Sequence, residues 1–156
     1  MSDTKILTRK PTDLLKQDHE KVKALFERYE DLGDRAHARK ADLWEKIKTE
    51  ITIHATVEEE IFYPAVEQIE HEEAEELVQE AHEEHAIVKQ LIAEISALTP
   101  EDEEFDAKVK VLAENVEHHA DEEEKDMFPL VKELSKEEQN SLAVRMMDRK
   151  HELERE

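Results

Sequence analysis

The feature that most constrains this chain is an internal repeat. Residues 14–25, around His19, align with residues 80–91, around His85. Residues 54–64, with His54, Glu58 and Pro64, align with residues 119–129, with His119, Glu123 and Pro129; the two offsets are 66 and 65 residues. Each copy holds two stretches with apolar residues at helical spacing, so the chain reads as two similar helical hairpins in tandem. Two hairpins packed about a pseudo-two-fold axis make a four-helix bundle, whose core sites are built by facing helices. Two copies are too few for a solenoid. A length of 156 residues suits one domain, and one glycine with four prolines leaves few of the tight turns that sheets need. The expected fold is all-α, an up-and-down four-helix bundle.

Punctuation along the chain sets the expected elements. Residues 1–11 are polar without a period and read as an N-terminal arm. Thr12 can cap a first helix running to about Leu32, where Gly33 supplies the stop. A second helix is expected from about Ala36 towards Ile69, kinked or broken near Pro64. The third is expected from about Glu73 to Leu98, and Thr99-Pro100 should stop it and open the fourth with proline in first position. The bundle is thus expected over residues 12–134. Ser135 with Glu138 reads as a capping box for a short fifth helix over residues 135–156.

The chemistry lies on the apolar stripes. Helix one carries Leu15, His19, Val22, Phe26 and Tyr29 on one face, and helix three carries Val78, Ala81, His85, Val88, Ile92 and Ile95. The second stripe is Ile47, Ile51, His54, Glu58, Ile61 and Ala65; the fourth runs through Val109, Leu112, Val116, His119, Glu123, Met127 and Leu130. Each helix therefore turns one histidine inward, and two add a glutamate one turn later. A lone core histidine is ordinarily satisfied by a carbonyl. Four of them beside two buried carboxylates are not, because unpaired buried charge is expensive and no lysine or arginine shares these levels. A divalent cation resolves the conflict, since imidazole nitrogen and carboxylate oxygen are its ligands. Six ligands would saturate one octahedral ion, whereas carboxylates from opposite hairpins can bridge two. Imidazole with carboxylate suits iron and also accepts manganese or zinc.

The other histidines weigh less. His118 falls on an outward face beside Glu122. His82, one turn before His85, is a candidate fifth histidine ligand, although its repeat counterpart is Lys16. Glu59, Glu60, Glu122 and Glu124 read as solvated groups or as hydrogen-bonding partners behind the ligands. Tyr29 and Tyr63 read as core residues within reach of the site.

A net charge of −21 makes nucleic acid and anionic membrane surfaces poor partners. The absence of cysteine excludes disulfides, Fe–S clusters and thiolate sites. No apolar run approaches the ~18 residues of a membrane span and no signal peptide opens the chain, so a cytoplasmic location is expected.

Four elements in order (a histidine, His-x3-Glu-Glu with an aromatic and proline after it, a histidine, and His-x3-Glu again) resemble the hemerythrin-like HHE cation-binding domain, over residues from about Asp13 to Leu134. The resemblance implies a non-haem di-iron centre that meets dioxygen, hydrogen peroxide or nitric oxide. It implies that His19 and His54 hold one iron and His85 and His119 the other, with Glu58 and Glu123 bridging. Oxygen-carrying hemerythrins show His-x3-His in the third helix and His-x4-Asp in the fourth; here stand His82-x2-His85 and His119-x3-Glu123. That departure favours catalase-like peroxide decomposition over reversible oxygen carriage. Oxygen sensing, iron storage or donation, and a metal-free acidic interaction module are the alternatives.

Overall fold

The structure, a computed structural model, describes residues 10–156. Residues 1–9 of the expected arm lie outside them. Helix α1 is Pro11–Glu30. Helix α2 begins as His37–Val57, passes through a π-helical turn at Glu58–Phe62, and ends as Tyr63–Glu67. Helix α3 is Ala74–Ser96. Helix α4 repeats the pattern of α2, with Phe105–Glu122, a π-helical turn at Glu123–Met127, and Phe128–Val131. Helix α5 is Lys136–Arg155. Helices α1 to α4 form the up-and-down bundle and α5 packs against α1 and α2 at one end.

Local chemistry explains the boundaries. Pro11, not Thr12, opens α1: its missing N–H is one that the first turn leaves unpaired in any case. Helix α5 starts at the expected capping box, where Ser135 Oγ accepts from Glu138 N at 3.0 Å and Glu138 Oε1 accepts from Ser135 N at 3.1 Å. Pro100 does not open α4. The Asp102 carboxylate accepts the Thr99 N–H at 2.7 Å and closes a turn around the proline, which delays the helix to Phe105.

Pro64, expected to kink or break α2, does not break it, and α4 likewise runs on through Pro129. Pro64 and Pro129 have no N–H to offer the carbonyl four residues back. Each helix absorbs the gap by widening one turn, so that Tyr63 N bonds to Glu58 O and Phe128 N to Glu123 O, five residues apart. The widening rotates everything beyond it. By the α-helical period Ile61 and Ala65 should face the core; instead Phe62, Tyr63 and Val66 are fully buried, while Ile61 and Ala65 are only half-buried.

Two apolar layers result. One gathers Val22, Phe26, Trp44, Ile47, Ile51, Val88, Phe105 and Leu112 towards the α1–α2 turn. The other gathers Leu15, Phe62, Val66, Val78, Met127 and Val131, closed by Leu142 and Met146 of α5. Each fully buried aliphatic side chain contributes roughly 1.5–3 kcal/mol. The histidines and glutamates of all four helices lie between the layers. At the far end of the first layer, Tyr29 Oη donates to Asp106 Oδ1 at 2.6 Å and buried Lys40 Nζ donates to Asp106 Oδ2 at 2.9 Å. Tyr29 therefore ties α1 to α4 there and takes no part in the polar layer.

Candidate metal centre

Helix periodicity delivers the polar layer. His19 follows Leu15 by one turn and precedes Val22 by three residues, and His85 sits likewise between Ala81 and Val88. In α2 and α4 the glutamate stands one turn after the histidine, on the same face, where the π-helical turn starts. Glu58 is 0 % exposed and Glu123 3 %.

Their side-chain ligand atoms converge in two groups, within 4.8 Å in each: His19, His54, Glu58 and Glu123 in one, and Glu58, His85 and His119 in the other. Glu58 belongs to both. Its Oε1 lies 3.1 Å from His85 Nε2 and 3.3 Å from His54 Nε2. Glu123 spans the other diagonal, 3.2 Å from His19 Nε2 and 3.3 Å from His119 Nε2. Of these contacts only that between His85 Nε2 and Glu58 Oε1 is a hydrogen bond. His19 Nε2, His54 Nε2, Glu58 Oε2 and Glu123 Oε1 are buried and make no hydrogen bond. Unpaired donors and acceptors cost about 1–3 kcal/mol each when buried. A cation coordinated by these atoms satisfies all four, so the residues fit a metal.

Behind the histidines stands a ring of carboxylates. Nδ1 of His19 donates to Glu124 at 2.7 Å, of His54 to Asp18 at 2.9 Å, of His85 to Glu59 at 2.7 Å, and of His119 to Glu84 at 2.6 Å. Every bond crosses to a neighbouring helix, and the repeat relates them in pairs: Asp18 matches Glu84, and Glu59 matches Glu124. A carboxylate on Nδ1 fixes the tautomer that leaves the Nε2 lone pair facing inward. Lys150 of α5 donates to Asp18 at 2.7 Å and Lys89 to Glu59 at 2.7 Å, which extends the ring to the surface. Sequence reasoning named Glu59 and Glu124 for this role and missed Asp18 and Glu84. The signal was present as matched acidity at repeat positions.

Tyr63, expected as a core residue within reach of the site, stands at its centre. Its Oη donates to Glu123 Oε2 at 2.6 Å and lies 3.1 Å from Glu58 Oε1, 3.1 Å from His85 Nε2 and 3.2 Å from His119 Nε2. Five residues at 100° each would put Tyr63 about 140° away from Glu58 on an α-helix; the π-helical turn brings it round. Its repeat counterpart is Phe128, which stacks on the His19 ring at 6.1 Å. One side of the centre thus carries a hydroxyl and the other a hydrocarbon ring. His82 joins neither group. It is exposed, and its ring packs edge-on against Tyr63. His118 is exposed beside Glu122, whereas His119 is buried.

The charges are strongly coupled. Burial pushes the imidazoles down, yet the carboxylates more than offset it. His119 is pushed up to about 10 by Glu123 and Glu84, and His19 and His54 are also raised. Burial pushes Glu58 up, but His54, Glu123 and His85 together hold it well below the usual carboxylate range. For Tyr63 burial and the charges of Glu58 and Glu123 act in one direction, well above 10.

The family model described as the Hemerythrin HHE cation binding domain matches residues 10–131. The chain belongs to that family. Among relatives of this HHE chain, a DNA nickase of Nostoc sp. is 31% identical over 120 residues, 77% of this chain and 33% of that protein. An uncharacterized hemerythrin-like protein of Schizosaccharomyces pombe is 28% identical over 134 residues, 85% of this chain and 64% of that one. The chain thus spans a third and under two thirds of these relatives' lengths. A crystal structure of an HHE cation-binding domain-containing protein from Mycobacterium kansasii superposes with a TM-score of 0.81 at 24% identity, covering 93% of this chain and 87% of that one, and shows the shared fold. No helix among the described residues is long and apolar enough to cross a membrane.

Proposed function

We propose that this chain is a non-haem di-iron protein that decomposes hydrogen peroxide. The observation that carries the reading is the pair of ligand groups sharing Glu58, with a tyrosine hydroxyl at one of them. His19 and His54 would hold one ion and His85 and His119 the other, with Glu58 and Glu123 between them. Bound iron would supply Lewis acidity and a redox couple for oxygen species. Two molecules of peroxide yield two of water and one of dioxygen, so the overall reaction calls for no outside reductant.

The chain's own residues do the rest. The carboxylate ring orients all four imidazoles and sustains their basicity. Tyr63 keeps its proton, because burial and two neighbouring carboxylates oppose its ionisation, and Oη, 2.6 Å from Glu123 Oε2, donates that proton to it. With His82 outside both groups, one protein ligand fewer closes the His85 side than a His-x3-His helix would supply. The likeness to the nickase does not support action on DNA. This chain spans 33% of that protein, and a charge of −21 opposes a phosphate backbone.

The test is metal analysis together with an oxygen electrode on iron-loaded protein. About two irons per chain and oxygen evolution from peroxide are expected. One tightly held zinc would overturn the di-iron reading. A stable, reversible oxygen adduct with no evolution from peroxide would replace it with the carrier or sensor reading.

A further inference from the structure

A cavity of about 410 Å³ lies against the histidine layer, on the side of the apolar layer that holds Phe26 and Ile51. Its floor includes His19, His54, His85 and His119, its walls include Phe26, Ile51, Val88 and Val116, and exposed residues of α1 and α4 frame its mouth. Close-packed cores leave few voids larger than one water. A water occupies about 30 Å³, so this space would hold roughly a dozen, many times what peroxide or dioxygen needs. Apolar walls give such waters few partners. A sealed, wholly apolar cavity of about 150 Å³ takes up benzene, and small-molecule sites span about 300–1,000 Å³. The size therefore matches an organic molecule of about a dozen non-hydrogen atoms.

Charge narrows the class. Seven carboxylates and three lysines line the cavity, on a chain of net charge −21, so an anion is repelled at entry. Inside the charged mouth, Phe26, Ile51, Val88 and Val116 make hydrocarbon walls and the histidine floor is the polar end. We propose that the cavity binds an uncharged organic hydroperoxide or the corresponding alcohol, with its apolar body against Phe26, Ile51, Val88 and Val116 and its oxygen end towards the metal site that the histidines would hold. The hydroperoxide assignment rests on the peroxide reading above; the fit of a neutral organic molecule does not.

Calorimetric titration of the metal-loaded 156-residue chain with 2-phenyl-2-propanol tests the site, with the anion 4-isopropylbenzoate as comparator. The alcohol should bind at least tenfold tighter than the anion. Ala113→Phe, which fills the cavity, should weaken it at least tenfold, while metal content and hydrogen peroxide decomposition stay within twofold. Ile92→Trp, nearer the surface, gives the same reading should Ala113→Phe fail to fold. Absence of alcohol binding at millimolar concentration, or equal binding to both variants, overturns the proposal even where peroxide is decomposed. Alcohol binding blocked by the variants, in protein that decomposes no peroxide, upholds the organic site and overturns the hydroperoxide assignment together with the reading it rests on.

Discussion

The two halves of the centre are built by the same repeat and are not equivalent. Hairpin one sends Tyr63 across to the His85–His119 side, where its hydroxyl meets four ligand side chains. Hairpin two sends Phe128 back to the His19–His54 side, where its ring stacks on an imidazole and offers no polar atom. Both π-helical turns and all four carboxylates behind the histidines keep the pseudo-symmetry. A gene-duplication-like repeat thus sets the common frame, and one aromatic position makes the sides chemically distinct. The carboxylates differ as well: Glu58 belongs to both ligand groups and Glu123 to one.

Removing the shared carboxylate should have the largest effect. Glu58→Gln is expected to lose nearly all metal, whereas Glu123→Gln should retain about one ion per chain, on the His85–His119 side. Metal analysis after gel filtration separates the two outcomes; equal loss from both variants would mean that both glutamates bridge equivalently. The associated loss of stability should reach about 3–4 kcal/mol at metal concentrations 100–1,000 times Kd, since a ligand of the folded state stabilises by mass action.

What the two sides share can be read from pH. His54 and His119 occupy matching positions, and both have raised pKa values without metal, His119 to about 10. A raised histidine pKa contributes stability that is complete below the unfolded value near 6.5 and is lost as pH climbs through 10. Glu58, held low, contributes stability present above about 4.5 and lost as acid protonates it. Metal-free protein should therefore melt highest between about pH 4.5 and 6.5. Ligating imidazoles are neutral, so metal uptake at pH 7 should release roughly one to two protons, and the advantage of the loaded form should widen from pH 6.5 to 10. Calorimetry in buffers of different ionisation enthalpy counts those protons. A metal-free melting temperature flat across this range would contradict the coupled cluster.

Tyr63→Phe makes the halves alike. Without metal it should cost about 1.5–3 kcal/mol, the range for a hydrogen bond to a charged group. With metal it should leave loading intact while changing peroxide turnover; urea unfolding and metal analysis check both. Loss of one ion in this variant would sharpen the contrast, because it would make the hydroxyl indispensable to its side.

The smallest effect is expected at the outer edge. His118 is exposed and pairs with half-buried Glu122 at the surface. His118→Ala should change stability by less than about 0.5 kcal/mol and keep its metal, while His119→Ala should lose metal from its side. The reverse order would place α4 in a rotated register.

Helix number, hairpin order and the inward direction of His19, His54, His85, His119, Glu58 and Glu123 were legible in the sequence. Each depends on spacing within one helix, where steps of three and four keep residues on one face. Asp18 and Glu84 were not legible, since their partners lie on other helices and only packing brings them within 3 Å. Nor was the place of Tyr63 at the centre. Pro64 forces a turn wider than the α-helical one, and beyond it the 100° increment no longer states which way a side chain points. The cavity beside the histidines is likewise a property of how far apart four helices stand. The sequence by itself determined which residues face the axis; the tertiary structure alone decided which oxygen and nitrogen atoms meet there, because those distances are set between helices rather than along them.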